Sequence, residues 1–227
     1  MSEENSNGEK VLDPTPQRLA EARKKGDIPK SADVTAAATY LALLAVVATM
    51  GGLAVQRAAS ALMVMIAQPD RLAAQMLGPG GAGLSARLMA EALVPLAPLF
   101  LLPMVAAPVS LFAQQAVIFA GDKLAPKMSR ISVLSNFKNK FGPSGLVEFG
   151  KATVKLAAIS TALFHYLLGG VDAMIGAATA EARALPALMM ETLVTLLAIT
   201  AGIAVLIGGV DLVWQRFDHA RKLRMSF

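Results

Sequence analysis

Uncharged stretches alternate along the chain with connectors that hold the charged residues. The uncharged stretches cover residues 34–55, 92–121, 156–171 and 192–210, which are 22, 30, 16 and 19 residues long. A helix that crosses a bilayer needs about 20 apolar residues, so this pattern predicts four transmembrane helices. The third stretch is short. Ala152 to Val154 can lengthen it, with the stem of Lys155 reaching back toward the interface. The second contains Pro95, Pro98, Pro103 and Pro108, which predicts kinks or two half-helices. Backbone freed in this way at membrane depth must be packed against protein. Residues 58–69 are uncharged but too few to span, and read as an interfacial or re-entrant piece. Residues 78–83, Gly-Pro-Gly-Gly-Ala-Gly, read as a flexible turn.

Ahead of the first stretch, residues 1–12 are polar and without periodicity, the pattern of a disordered segment. Asp13-Pro14-Thr15-Pro16 then signals a helix start, with Thr15 as cap and Pro16 at the first helical position. Arg18 stands where a capping box would place Glu or Gln, so that motif is incomplete. Arg23, Lys24 and Lys25 suit the last turn of this helix, and Gly26 suits its stop. A secretory signal would begin with a short basic region, not with about 33 charged and polar residues, so none is read here.

Basic residues orient the spans. Lys and Arg number six in residues 1–33, three in 56–91, seven in 121–155, one in 172–191 and four in 211–227. This alternation places the N-terminus, the middle loop and the C-terminus in the cytoplasm, in agreement with an even number of spans. The expected organisation is a cytoplasmic segment 1–33, a membrane domain 34–210 that includes the loop 121–155, and a cytoplasmic stretch 211–227. The fold class is all-α integral membrane. Within the loop, Leu134, Phe137 and Phe141 share one helical face, with Lys138 and Asn139 turned away. Such a basic amphipathic piece can lie in the membrane interface or on a partner protein.

Composition supports the membrane reading. The chain of 227 residues is 55% hydrophobic and 16% charged, against about 25% charged in soluble domains. The net charge of +5 flanks the apolar stretches, so it reads as membrane orientation and headgroup contact, not nucleic-acid binding. The absence of cysteine excludes disulfides and thiolate chemistry. The two histidines, 54 residues apart, do not make a metal site, and no phosphate loop or hydrolase motif is present. No cofactor is expected.

Few polar groups lie within the uncharged stretches. His165 reads as a hydrogen-bonded structural histidine, with a proton relay as the alternative. Gln114 and Gln115 read as hydrogen-bonding across helices, with a pore lining as the alternative. Asp172 and Asp211 read as solvated markers of span ends.

Three blocks resemble one family. The first is Asp13-Pro14-Thr15-Pro16, Arg18-Leu19, Ala22-Arg23, Gly26 and Ser31. The second is Pro126-Lys127-Met128-Ser129-Arg130-Ile131-Ser132 with Gly145-Leu146-Val147-Glu148. The third is Asp211, Trp214-Gln215-Arg216, His219 and Arg221-Lys222-Leu223-Arg224-Met225-Ser226. In this order around four apolar stretches they resemble the FlhB family of flagellar biosynthesis and type III secretion. Val11-Leu12 departs from the usual Thr-Glu, and the 56–91 connector looks variable.

The resemblance implies a subunit of the protein export gate in the bacterial inner membrane, built as two helical hairpins joined by the cytoplasmic loop. It implies association with FliP, FliQ and FliR, and with FlhA, transient contact with exported proteins, and no nucleic acid. The loop residues Pro126, Lys127, Arg130, Leu134, Phe137, Lys138, Phe141 and Gly142 are then the expected gate contacts. The family continues past Leu223-Arg224-Met225-Ser226 into a cytoplasmic domain that cleaves itself at Asn-Pro-Thr-His. No Asn-Pro occurs here, so this chain corresponds to the membrane half and no enzymatic activity is expected. The alternatives are a self-contained small-solute transporter or channel, and a membrane enzyme. The first lacks paired intramembrane charges. The second lacks a nucleophile and base at matching depth, since Ser160 is off the helical face of His165.

Overall fold

Apolar runs far longer than a soluble helix requires dictate the architecture. The computed structural model describes residues 15–24, 26–117, 143–179 and 185–224, and every regular element among them is helical. Helix α1 is Pro16–Lys24. Helices α2 (Ala32–Val46) and α3 (Gly52–Ala67) are joined without interruption by a π-helical turn, Val47–Gly51. Helix α4 is Pro69–Met76 and α5 is Gly81–Leu93. A 3-10 turn, Val94–Leu96, leads into α6, Ala97–Ala113. Two long helices complete the chain, α7 (Pro143–Thr179) and α8 (Leu185–Leu223). Four helical stretches are long and apolar enough to cross a membrane: Ala32–Ala67, Gly81–Ala113, Glu148–Asp172 and Leu185–Leu223.

These spans differ from the expected ones in instructive ways. Residues 58–67 are not a separate interfacial piece, because they belong to α3 and continue the first span. Arg57 had marked the end of the uncharged run. It is exposed on the helix surface, and a single charge there does not stop helical hydrogen bonding. The second span begins well before Ala92 and ends at Ala113, short of Gly121. Its early charges, Arg87 and Glu91, neutralise each other one turn apart at 2.9 Å. The third span extends back to Glu148, beyond the residues 152–154 proposed as its extension. Helix α8 has 39 residues and passes through Asp211 without a break. At 1.5 Å per residue it is about 58 Å long, well over the roughly 30 Å hydrocarbon core.

The prolines act as their chemistry requires. Pro95 sits in the 3-10 turn, while Pro103 and Pro108 lie inside α6 and leave the carbonyls of Leu99 and Met104 without a fourth-residue donor. The glycine-rich segment expected as a flexible turn is a tight turn whose last residues, from Gly81 on, already belong to α5. Gly80 has φ +84°, and a Cβ on Gly81 would lie 1.9 Å from the Met76 carbonyl oxygen.

By packing, the chain forms two units. One comprises Met1–Ala36, Val109–Ala162 and Ile203–Phe227; the other comprises Ala37–Pro108 and Leu163–Gly202. In the second, α3 packs on α5 and on the 3-10 turn, with Ala54, Ala58, Leu88 and Ala92 buried. Small side chains let helix backbones approach closely where no hydrophobic effect drives association. In the first unit Gly208 brings α8 close to the start of α2. A Cβ there would lie 3.1 Å from the Asp33 carbonyl and the Val34 nitrogen. Gly208→Leu is therefore expected to destabilise the purified protein by about 1–3 kcal/mol. Gly209→Leu, at a position with nothing within 4 Å, is expected to leave thermal unfolding in detergent unchanged. Equal melting temperatures for the two variants would contradict this packing.

Candidate functional site

The first unit holds a layer of polar groups where apolar helices would otherwise meet. Its centre is Asp211, whose side chain is 8% exposed. One carboxylate oxygen accepts a hydrogen bond from the Ser31 hydroxyl at 2.7 Å, and the other accepts one from the Lys151 ammonium at 2.7 Å. Ser31 is almost completely buried. Its hydroxyl also accepts the Val34 N–H at 3.2 Å and so caps the first turn of α2. Lys151 lies 5.9 Å from the centre of the Trp214 ring, within the range of a cation–π contact. One turn along α7, Lys155 pairs with Asp33. The spacing of four residues puts both lysines on one face of α7, matching a carboxylate on α2 and one on α8.

Gln114 is the second hub. Its side-chain oxygen accepts the Ser31 backbone N–H at 2.9 Å, while its amide nitrogen donates to Thr35 Oγ1 and Ser110 Oγ, each at 3.1 Å. Gln115, at the end of α6, has φ +54°, a left-handed conformation uncommon for a residue with a side chain. The Ala116 and Gln115 N–H groups bond back to Leu111 and Phe112, a Schellman stop, and the Gln115 side chain accepts from Arg23 at 3.4 Å. Both glutamines thus bond across helices as expected.

Asp211 departs from its expected role. The sequence reads it as a solvated marker, but it is buried and doubly bonded, because α8 continues past it and carries it against Ser31 and Lys151. Asp172 is exposed. His165 is exposed on α7 without a hydrogen-bond partner among the described residues, so the expected structural bond is not made there.

The N-terminal motif folds largely as its residues dictate. Thr15 accepts the Arg18 N–H at 3.4 Å, Pro16 opens α1, and Gly26 has φ +70°. The Asp27 and Gly26 N–H groups bond to Ala22 and Arg23, closing α1 with a second Schellman stop. The C-terminal motif meets this segment. His219 donates from Nε2 to the Asp27 carbonyl at 3.1 Å, and Leu223 lines a cavity of about 540 Å³ with Thr15, Arg18 and Asp27. Arg224 directly follows α8. Asp13, Pro14 and all the loop contacts, Pro126, Lys127, Arg130, Leu134, Phe137, Lys138, Phe141 and Gly142, lie outside the described residues.

The ion pairs of Lys151 and Lys155 and the capping role of Ser31 go beyond what the local sequence predicts. The signal was present in two lysines four apart, and in two aspartates at opposite ends of uncharged stretches. Among the described residues no group of three His, Asp or Glu side chains is placed to hold a metal ion.

An all-α protein with four membrane-length helices, tied at one layer by hydrogen-bonded charges, belongs to the class of polytopic membrane proteins. The comparisons are more specific. The profile of the FlhB HrpN YscU SpaS family matches residues 8–227, and the chain belongs to this family. It is 26% identical over 96% of its length to the flagellar biosynthetic protein FlhB of Bacillus subtilis, covering 60% of that protein. It is 28% identical over 96% of its length to the hypersensitivity response secretion protein HrcU of Ralstonia nicotianae, again covering 60%. With FlhB of Escherichia coli it is 28% identical over its whole length, covering 58%. The chain therefore spans about 60% of the length of these curated relatives.

Removing the Asp211 carboxylate leaves the Lys151 charge and the buried Ser31 hydroxyl unmatched. Asp211→Ala is expected to cost about 3 kcal/mol in denaturant unfolding. Adding Lys151→Met is expected to recover part of that loss. Strict additivity of the two substitutions would show that the pair is not coupled.

Proposed function

We propose that this chain is a membrane component of a type III protein export gate in the bacterial inner membrane. Membership of the FlhB HrpN YscU SpaS family carries the reading, together with relatives named for flagellar biosynthesis and for secretion. The distribution of basic residues favours both ends and the middle loop in the cytoplasm, with 34–210 as the membrane domain between them. The partners are the other gate subunits, FliP, FliQ, FliR and FlhA or their injectisome counterparts, with exported proteins in transient contact.

Exposed apolar surface supports a partnered subunit. On α6 alone Phe100, Met104 and Phe112 are each about two-thirds exposed or more. Lipid can cover such surface, but prolines on the same helix free backbone carbonyls, and these are best met by protein. The role is conformational, not enzymatic. The loop carrying Pro126, Lys127, Arg130, Leu134, Phe137, Lys138, Phe141 and Gly142 lies against the closed gate and shifts when it opens.

Introducing Phe137→Asp and Phe141→Asp together into the chromosomal gene tests this. Secreted substrate in the culture medium should fall below a few per cent of normal, while the protein still fractionates with the inner membrane. Normal secretion by the double variant would refute the loop's role at the gate.

A further inference from the structure

A cavity of about 380 Å³ in the first unit lies beside the Asp211 layer and uses none of its ion pairs. Three side chains able to carry positive charge line it, Arg23, Arg216 and His219, against a single carboxylate, Asp27. The Asp27 carboxylate lies 3.8 Å from His219 Nε2. Among the described residues the Arg23 side chain is held by its 3.4 Å bond to Gln115 alone. Arg216 makes no ion pair or hydrogen bond among the described residues, leaving its guanidinium free to donate. Ile28, Pro29 and Ala113 supply apolar wall.

The depth of the cavity narrows what can fill it. Its lining includes Ala113 and Gln114, where the apolar stretch of α6 ends. Gln114 is bonded to Ser31 and Ser31 to Asp211, so this part of the lining lies level with the point at which α8 ceases to be uncharged. Arg216 and His219 follow Asp211 by five and eight residues, about 8 and 12 Å along the helix. The headgroup layer on each face of a bilayer is roughly 5–8 Å deep, and an arginine reaches back several ångströms along its stem. Arg216, at the edge of that layer and able to reach back into it, meets phosphates there. Basic pockets between helices at a membrane surface suit phospholipid headgroups, and a guanidinium matches phosphate oxygens two at a time.

We infer that the cavity lined by Arg23, Arg216 and His219 binds a phosphate group, supplied at this depth by the headgroup of an anionic phospholipid. The inference requires only that the chain crosses a membrane and stands apart from its role in export.

The purified full chain in mild detergent tests it, titrated separately with dioctanoyl phosphatidylglycerol, dioctanoyl phosphatidylcholine and inorganic phosphate and followed by native mass spectrometry. Phosphatidylglycerol should bind saturably, and phosphatidylcholine, which carries its own cation, about tenfold more weakly. Arg216→Gln should weaken phosphatidylglycerol about tenfold. Arg216→Lys, which keeps the charge and loses the fork, should weaken it several-fold. Arg23→Gln, on a different helix, provides an independent reading should an Arg216 variant fold poorly. Arg221→Gln removes the same charge outside this cavity and should change the affinity less than twofold. Binding of inorganic phosphate with the same dependence on Arg23 and Arg216 would keep the phosphate site and assign it a soluble source. Equal binding of both lipids, an unchanged affinity in Arg23→Gln and Arg216→Gln, or an equal loss in Arg221→Gln would overturn the site.

Discussion

The carboxylate of Asp211 anchors the polar layer on which the first unit depends. It receives the Ser31 hydroxyl on one oxygen and the Lys151 ammonium on the other. Taking a carboxylate out of water costs several kcal/mol unless its partners are in place. The burial of this group therefore couples three distant parts of the chain. Through Ser31 it sets the first turn of α2; through Lys151 it fixes the register of α7, which brings Lys155 to Asp33. Through Ser31 and Gln114 it reaches the end of α6. Apolar helices in lipid slide past one another at little cost, and a satisfied polar layer is one of the few devices that gives them a defined register.

Away from that layer the helices are sparsely buried. The residues most fully covered are mainly alanines and valines, while phenylalanine, leucine and methionine side chains are exposed along all the long helices. In a soluble protein such a surface would be an aggregation hazard. In a membrane subunit it faces lipid or neighbouring helices. Membership of the FlhB HrpN YscU SpaS family adds the context of a secretion apparatus.

Much of the fold was legible because its signals are strong and local. Uncharged runs near or above bilayer length announced the four spans, and Thr15, Pro16 and Gly26 announced α1 through dihedral preference and capping chemistry. Span ends were less legible. Arg57, Arg87 and Glu91 interrupted the uncharged runs without interrupting the helices, since exposed or paired charges are compatible with continuous helical bonding. The polar layer was the least legible part. Gln114 reads as a hydrogen-bonding residue from its place in the apolar run, but Asp211 reads as solvated, because its burial depends on residues 60 and 180 positions away. No local pattern encodes that separation. The three blocks of family resemblance contained Ser31 and Asp211 without showing that they touch.

The proposed role as a partnered subunit of an export gate is tested most directly by the chain's partners. Affinity purification of the chain from gently solubilised native membranes, with the retained proteins identified by mass spectrometry, would decide it. Recovery of the small gate subunits in constant ratio to the chain is the predicted result. Recovery of the chain alone, from membranes in which those subunits are present, would contradict it.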